Sequence, residues 1–352
     1  MSPAMRAILA TPHSLVGDGR FALGTYKAPF ERVNPLDARL GRFWPWPRWL
    51  KNWRLKEWEH FALVNDDYYL SVALFDAKIL GLAQVCVYSR TDGAIHFYER
   101  KTPPWKIRLP PNILCSRAKY ESRGFSLGFE NALDEGYIGI EIEIAASEGL
   151  PPISGSFRCL EPLGTSEPIV VCLPLPNGGA LYSHKYTCPV EGSMRLGPTS
   201  VDFPAQRSYG LIDIHQGYYP VVMKWHWATA GGRTPEGRLI GFNLTDNQVE
   251  DQDAYNENCV WQDGRLFLLP PVSFHFDHRD HRKPWAIRDR DGRVELAFVP
   301  EVVRTVDLDA CLLVSRYRAP FGVFSGRLRT ADGQEIEVAD YFGMCEDFYI
   351  RS

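Results

Sequence analysis

After Lys56, apolar and polar positions alternate with period two along most of the chain. Glu57-Trp58-Glu59-His60-Phe61-Ala62-Leu63 is one such run, and Tyr68 to Phe75 and Gly81 to Tyr88 continue the pattern. Alternation of this kind sends successive side chains to opposite faces, as a strand does. Asp92-Gly93 reads as a hairpin turn before Ala94 to Glu99. Further strands are predicted at 117–121, 124–130, 137–145, 157–159, 167–173 and 192–196. The second half continues with 220–228, 237–243, 257–262, 265–268, 272–278, 285–288, 293–299, 311–318, 321–329 and 335–338. Its turns are read at Gly231-Gly232, Asp263-Gly264, Asp291-Gly292 and Asp332-Gly333. One short stretch, 199–209, has a helical pattern. Many short strands at regular spacing imply a sandwich or barrel.

Residues 1–54 lack this rhythm. Ala28-Pro29-Phe30 and Asn34-Pro35-Leu36 form turns, and the prolines of Phe43-Trp44-Pro45-Trp46-Pro47 oppose a regular strand. The tryptophans here are expected to plug a barrel end, cover an edge or form a lid. The resulting layout is an N-terminal arm (1–54) and two all-β units, 55–188 and 189–352, with a break near 185–192. A length of 352 residues agrees with two cores rather than one.

Composition narrows the class. Apolar residues make up 45% and charged residues 23%, as in ordinary globular proteins, but aromatics reach 13% with ten Trp. Net charge is −4, with Lys and Arg dispersed. That argues against a nucleic-acid surface and against a polybasic membrane patch. Eight Cys are scattered without a Cys-x-x-Cys pair, several within apolar strand patterns. They read as small buried hydrophobes in a reducing compartment, hence a cytoplasmic expectation. Ala7-Ile-Leu-Ala10 is too short for a signal peptide, and no run approaches a membrane span. No Walker loop, dinucleotide fingerprint, nucleophile elbow or His-Glu-x-x-His motif is present. A cofactor-independent chemistry is therefore expected. Oligomeric state is left open.

The richest stretch is Ser208 to Asp263, where large aromatics alternate with Asp, His and Asn. Asp213 and His215 lie two apart and share a face of a strand, so one can orient the other for acid–base work. A structural hydrogen bond is the plainer reading. Trp225 and Trp227 point one way and His226 the other; either face suits an apolar or cationic group. Tyr218 and Trp261 are further candidate lining residues. Asn243 and Asp246 end a strand, where they also suit a turn. Asn256 and Asn258 share a face opposite Glu257, and buried amides need a partner or a ligand. Asp246 and Glu257 are candidate second carboxylates beside Asp213. His275, His278 and His281 resemble a metal motif, yet strand geometry splits them and their charged neighbours favour a solvated loop. No metal is expected.

Trp58-Glu-His60, Gly210-Leu-Ile-Asp213, Trp225-His226-Trp227, Gly241-Phe-Asn243, Asn256-Glu257-Asn258 and Trp261-Gln-Asp263-Gly264 carry a resemblance. Together they resemble an uncharacterised bacterial domain-of-unknown-function family across most of the chain. More distantly, the layout is similar to the lipocalin-like AttH and carotenoid 1,2-hydratase group. That resemblance implies two tandem calycin-like barrels, and hydratase or cyclase chemistry on isoprenoid or other hydrophobic molecules. The expectation is an acid–base hydratase, isomerase or cyclase with a hydrophobic small-molecule partner. A lipid carrier is the alternative, and a carbohydrate-active β-protein a third.

Overall fold

The computed structural model describes residues 6–41, 45–147, 149–310 and 313–351. Phe43 and Trp44 lie outside the described residues. The described residues are all-β apart from one seven-residue helix, α1 (Arg48–Arg54), and short 3-10 turns. The chain folds as two curled sheets, one of 14 strands and one of nine. A two-stranded ribbon lies in the arm.

Four strands of the first sheet matter for the site: β1 (Lys56–Val64), β2 (Tyr68–Asp76), β3 (Gly179–Leu196) and β4 (Tyr209–Gly217). Their lateral order is β2-β1-β4-β3, all antiparallel. From the second sheet come β5 (Val222–Arg233), β6 (Leu239–Asp246), β7 (Cys259–Gln262) and β8 (Glu335–Arg351). They lie in the order β7-β6-β5-β8.

The expected break at 185–192 falls inside β3, which is continuous for 18 residues. The polar run that reads as a connector is its exposed stretch Glu191–Ser193. The sheets part between Gly217 and Val222. Gly231 and Gly232 are not a turn but lie within β5. They are small because Tyr209 and Tyr341 pack on them; an added Cβ would stand 2.7 and 2.3 Å from those rings. Instead of a helix, 199–209 begins with the strand Thr199–Phe203. The arm pairs Gly24–Tyr26 with the strand Ile169–Leu175. Its Trp49 and Trp53 are exposed and plug nothing.

Each sheet is apolar on its inner side. Phe61, Ile212 and Phe129 belong to one core; Phe242, Trp285 and Phe324 belong to the other. The opposite faces of β1–β4 and of β5 and β8 meet each other. Tyr69 packs on Phe321 and Phe342, with centroids 4.8 and 5.6 Å apart, and the Tyr209 hydroxyl donates to the Phe342 carbonyl. This seam is apolar at one end and polar at the other.

Candidate functional site

Strand register assembles the polar end of the seam. Asp213 on β4 stands opposite His60 on β1 and Lys185 on β3. In the next row, His215 stands opposite Trp58 and Ser183. Period-two geometry turns both rows toward the second sheet. That sheet answers with Trp225 and Trp227 on β5 and, opposite Trp227, Glu346 on β8.

Asp213 is the hub. Its Oδ1 accepts from His215 Nε2 at 2.7 Å and from Lys185 Nζ at 3.0 Å; its Oδ2 lies 3.4 Å from His60 Nδ1. Lys185 also approaches Glu257 Oε2 at 3.7 Å, and its ammonium sits 4.6 Å from the centre of the Trp227 ring. Glu257 Oε1 accepts from the Thr245 hydroxyl at 3.0 Å. The second ring nitrogen of His60 meets Ser71 Oγ at 3.0 Å. Asp213, His215, Lys185 and Glu257 are all at most 5% exposed.

An aromatic slab forms the edge. Trp58 stacks on His215 (4.3 Å, 17° between planes), on Tyr219 (5.8 Å, 16°) and on Trp225 (6.4 Å, 20°). Trp58, Tyr219 and Trp225 are only half-buried, so the cluster reaches solvent here.

The electrostatics separate an anion from an acid. Burial opposes charge on Asp213, but Lys185 and then His215 outweigh it and hold the carboxyl well below its usual range. Burial likewise opposes the Lys185 ammonium, and Asp213 and Glu257 overcome it, raising its pKa. Glu346 goes the other way: burial, then the Asp213 charge, push it up to about 8, against a Trp225 hydrogen bond and Lys185. Burial and the Asp213 charge both favour its protonated form. The Tyr219 hydroxyl is raised well above its usual value by burial, then by Glu257 and Asp213.

Three buried polar atoms in this cluster have no hydrogen-bond partner among the described residues: His215 Nδ1, Glu257 Oε2 and Tyr219 Oη. Such atoms cost about 1–3 kcal/mol each when left unmet, and they mark where water or a ligand binds. With Nε2–H donated to Asp213, His215 has its other nitrogen free.

Of the candidates read from sequence, Asp213, His215, Glu257, Trp225 and Trp227 meet here. Asn243 supports them: it accepts from Trp227 Nε1 at 2.6 Å and donates to the Glu257 carbonyl at 2.8 Å. Asn256 and Asn258 brace the same loop, through Asn256 Oδ1 to Asn258 N (2.8 Å) and Asn258 Oδ1 to Thr245 N (2.6 Å). The arm's Arg6 caps that loop, donating to the carbonyls of Asn256, Asn258 (2.8 Å) and Leu269 (3.2 Å). Tyr218 and Trp261 lie elsewhere. The Tyr218 hydroxyl bonds the Pro35 carbonyl under the arm, and Trp261 Nε1 bonds the Glu167 carbonyl.

His226 and Asp246 face the opposite side of the second sheet. His226 lies 3.8 Å from Asp246 and 3.5 Å from Asp347, while His281 binds Asp347 at 2.8 Å and His278 approaches it at 3.9 Å. The turn after Asp277 brings 278 and 281 together; His275 stays exposed. These are contacts between imidazole and carboxylate groups. Among the described residues, no group of three or more His, Cys, Asp or Glu is arranged to hold a metal ion.

Sequence reasoning missed Lys185, Glu346 and Tyr219 as site residues. Lys185 offered a signal: it is a charged residue in the strand-like run Leu181-Tyr-Ser-His-Lys185-Tyr186.

No curated protein matches the chain. It is similar to the crystal structure of kievitone hydratase from Nectria haematococca, at 9% identity and a TM-score of 0.48, over 84% of this chain and 88% of that one. Residues 7–351 match the family described as Domain of unknown function (DUF2804), and the chain belongs to that family.

Proposed function

We propose that the protein is an acid–base catalyst of the hydratase or isomerase kind, acting on an apolar small molecule admitted between the two sheets. The observation that carries this is His215: one ring nitrogen is fixed by the Asp213 carboxylate, and the other is buried with no partner among the described residues. That is the arrangement of an oriented general base. In this reading the site lies in the seam rather than inside a barrel.

Asp213 is held ionised by Lys185, so it orients His215 and donates no proton. Glu346 fills the acid's role because it keeps its proton at neutral pH. For hydration, His215 Nδ1 takes a proton from water while the water oxygen bonds to an electron-poor carbon. Glu346 gives its proton to the neighbouring carbon or its conjugated carbonyl. The cycle closes when solvent returns a proton to Glu346 and removes one from His215. The half-buried Trp58 and Trp225 offer an apolar edge against which a substrate packs.

The test works with a substrate still unidentified. Lipophilic metabolite extracts are incubated with the protein in deuterium oxide or heavy-oxygen water, and label is followed by mass spectrometry. Hydration takes up heavy oxygen and isomerisation takes up deuterium; His215→Ala and Glu346→Gln should abolish either. Retention of an unlabelled compound, unchanged by both substitutions, sinks the catalytic reading and leaves the carrier.

A further inference from the structure

Lys and Arg are dispersed along the sequence, yet five of them fall in the two short segments that carry the exposed tryptophans. α1 and the segment from Pro104 to Arg108 line a common cleft of about 780 Å³, with Trp49, Trp53, Trp105 and Arg108 among its walls. Trp49 and Trp53 are four apart and share one side of α1. Trp105 is 74% exposed, Trp49 71%, Trp53 48%, and Trp46, just ahead of the helix, 37%. They are all the tryptophans found among the exposed large apolar side chains of the described residues.

The charge around them is one-sided. Stretches 46–54 and 104–108 hold Arg48, Lys51, Arg54, Lys106 and Arg108 and no Asp or Glu, in a chain of net charge −4. The nearby acids are already engaged: Asp76 and Glu57 hold Lys78, and Asp37 holds Arg32 and Arg48. Lys106 and Arg108 are exposed and have no acidic ion-pair partner among the described residues.

We propose that this face docks on the surface of a bilayer containing anionic phospholipid. A small-molecule pocket buries its aromatics, whereas these indoles stand in solvent. Indole is suited to the bilayer interface, with an apolar body and one N–H for the wet side. The cations complement anionic headgroups, which attract each Lys or Arg by about 1 kcal/mol. Shallow docking needs no membrane span, and no helix among the described residues is long and apolar enough to be one. The proposal stands apart from the reaction assigned to the seam.

The test is co-sedimentation of the full chain with vesicles of phosphatidylcholine, alone or mixed with phosphatidylserine. Binding is expected to the mixed vesicles, with a blue shift of tryptophan emission and weakening by salt. Lys106→Ala with Arg108→Ala should weaken it roughly thirty-fold, the equivalent of two such cations. Trp49→Ala with Trp105→Ala should weaken it by about tenfold or more, through lost apolar contact. All four side chains are exposed, so thermal unfolding of both variants should match that of the parent. No binding to mixed vesicles, equal binding to neutral ones, or binding untouched by either pair overturns the proposal. So does self-association of the parent that the tryptophan pair abolishes without any vesicle binding.

Discussion

Replacing Glu346 by Gln tests the electrostatics of the seam directly. Glu346 is 8% exposed, and its carboxyl is raised from 4.5 to about 8, chiefly by burial and then by Asp213. The sign follows from proton counting. Below pH 4.5 both folded and unfolded chains carry the proton, so the group contributes no pH dependence. Between 4.5 and about 8 the folded chain keeps a proton that the unfolded chain has released. Folding stability therefore falls as pH rises, by about 1.4 kcal/mol per unit. Across the whole interval the loss is on the order of 5 kcal/mol. Gln is close in shape and never ionises, so Glu346→Gln should escape this loss. In urea denaturation from pH 5 to 8, the variant should gain on the parent by about 4 kcal/mol, with little difference at the acid end. Parallel stability curves across that range would refute the protonated Glu346, and with it the acid assigned to the reaction. Glu59, buried in the first barrel and also raised to about 8 by its burial, is the internal control. Glu59→Gln should show the same slope while leaving the seam untouched.

Asp213→Asn should cost about 3–5 kcal/mol in chemical denaturation, because it strands the Lys185 ammonium; Asp213→Leu with Lys185→Met should recover most of that loss. Arg6→Met leaves the Asn256 and Leu269 carbonyls without this donor, while the Asn258 carbonyl keeps the Leu269 N–H, and should lower stability by about 1–3 kcal/mol, with faster amide exchange around Asn256–Asn258. Gly241→Ala would place a Cβ 2.2 Å from Thr187 Oγ1 and should cost about 1–3 kcal/mol by thermal unfolding. His226 is raised to about 9: burial opposes its charge, but hydrogen bonds to Asp246 and Asp347 overcome it. Its stabilisation is fully present below pH 6.5 and is lost as pH rises through about 9, so His226→Asn should flatten the alkaline side of the stability profile.

The strands were legible because their alternation is strong and their turns are chemically explicit. Asp263 and Gly264, both at positive φ, form the turn their dipeptide announces. Gly231-Gly232 misled because a glycine pair has two causes, a turn or a close approach by another chain segment. Only the partner rings of Tyr209 and Tyr341 distinguish them. The Asp213–His215 pair was legible from its spacing of two. Which face of β5 looks toward it was not, since Trp225-His226-Trp227 suits either orientation. Lys185 and Glu346 were harder still. Each gains its meaning from a residue on a different strand, Asp213 in both cases, and register between distant strands leaves no mark in a single sequence.

The site's position follows from how the two sheets use their faces. Each inner face is filled with its own apolar core, around Phe61 and Phe129 in one and Phe242 and Trp285 in the other. A packed interior has no place for a substrate. The outer faces are different, because each strand has spare side chains there and the opposing sheet supplies the other half of any constellation. An all-apolar seam would hold the sheets together at least as well, since buried ion pairs add little net stability over apolar packing. Tyr69, Phe321 and Phe342 show that apolar packing at the other end of the same seam. The change from that packing to Asp213, Lys185, His60, His215 and Glu346, with three buried atoms left unpartnered among the described residues, adds no stability that more Phe and Tyr could not have supplied. In the function proposed here, chemistry on a bound molecule accounts for it.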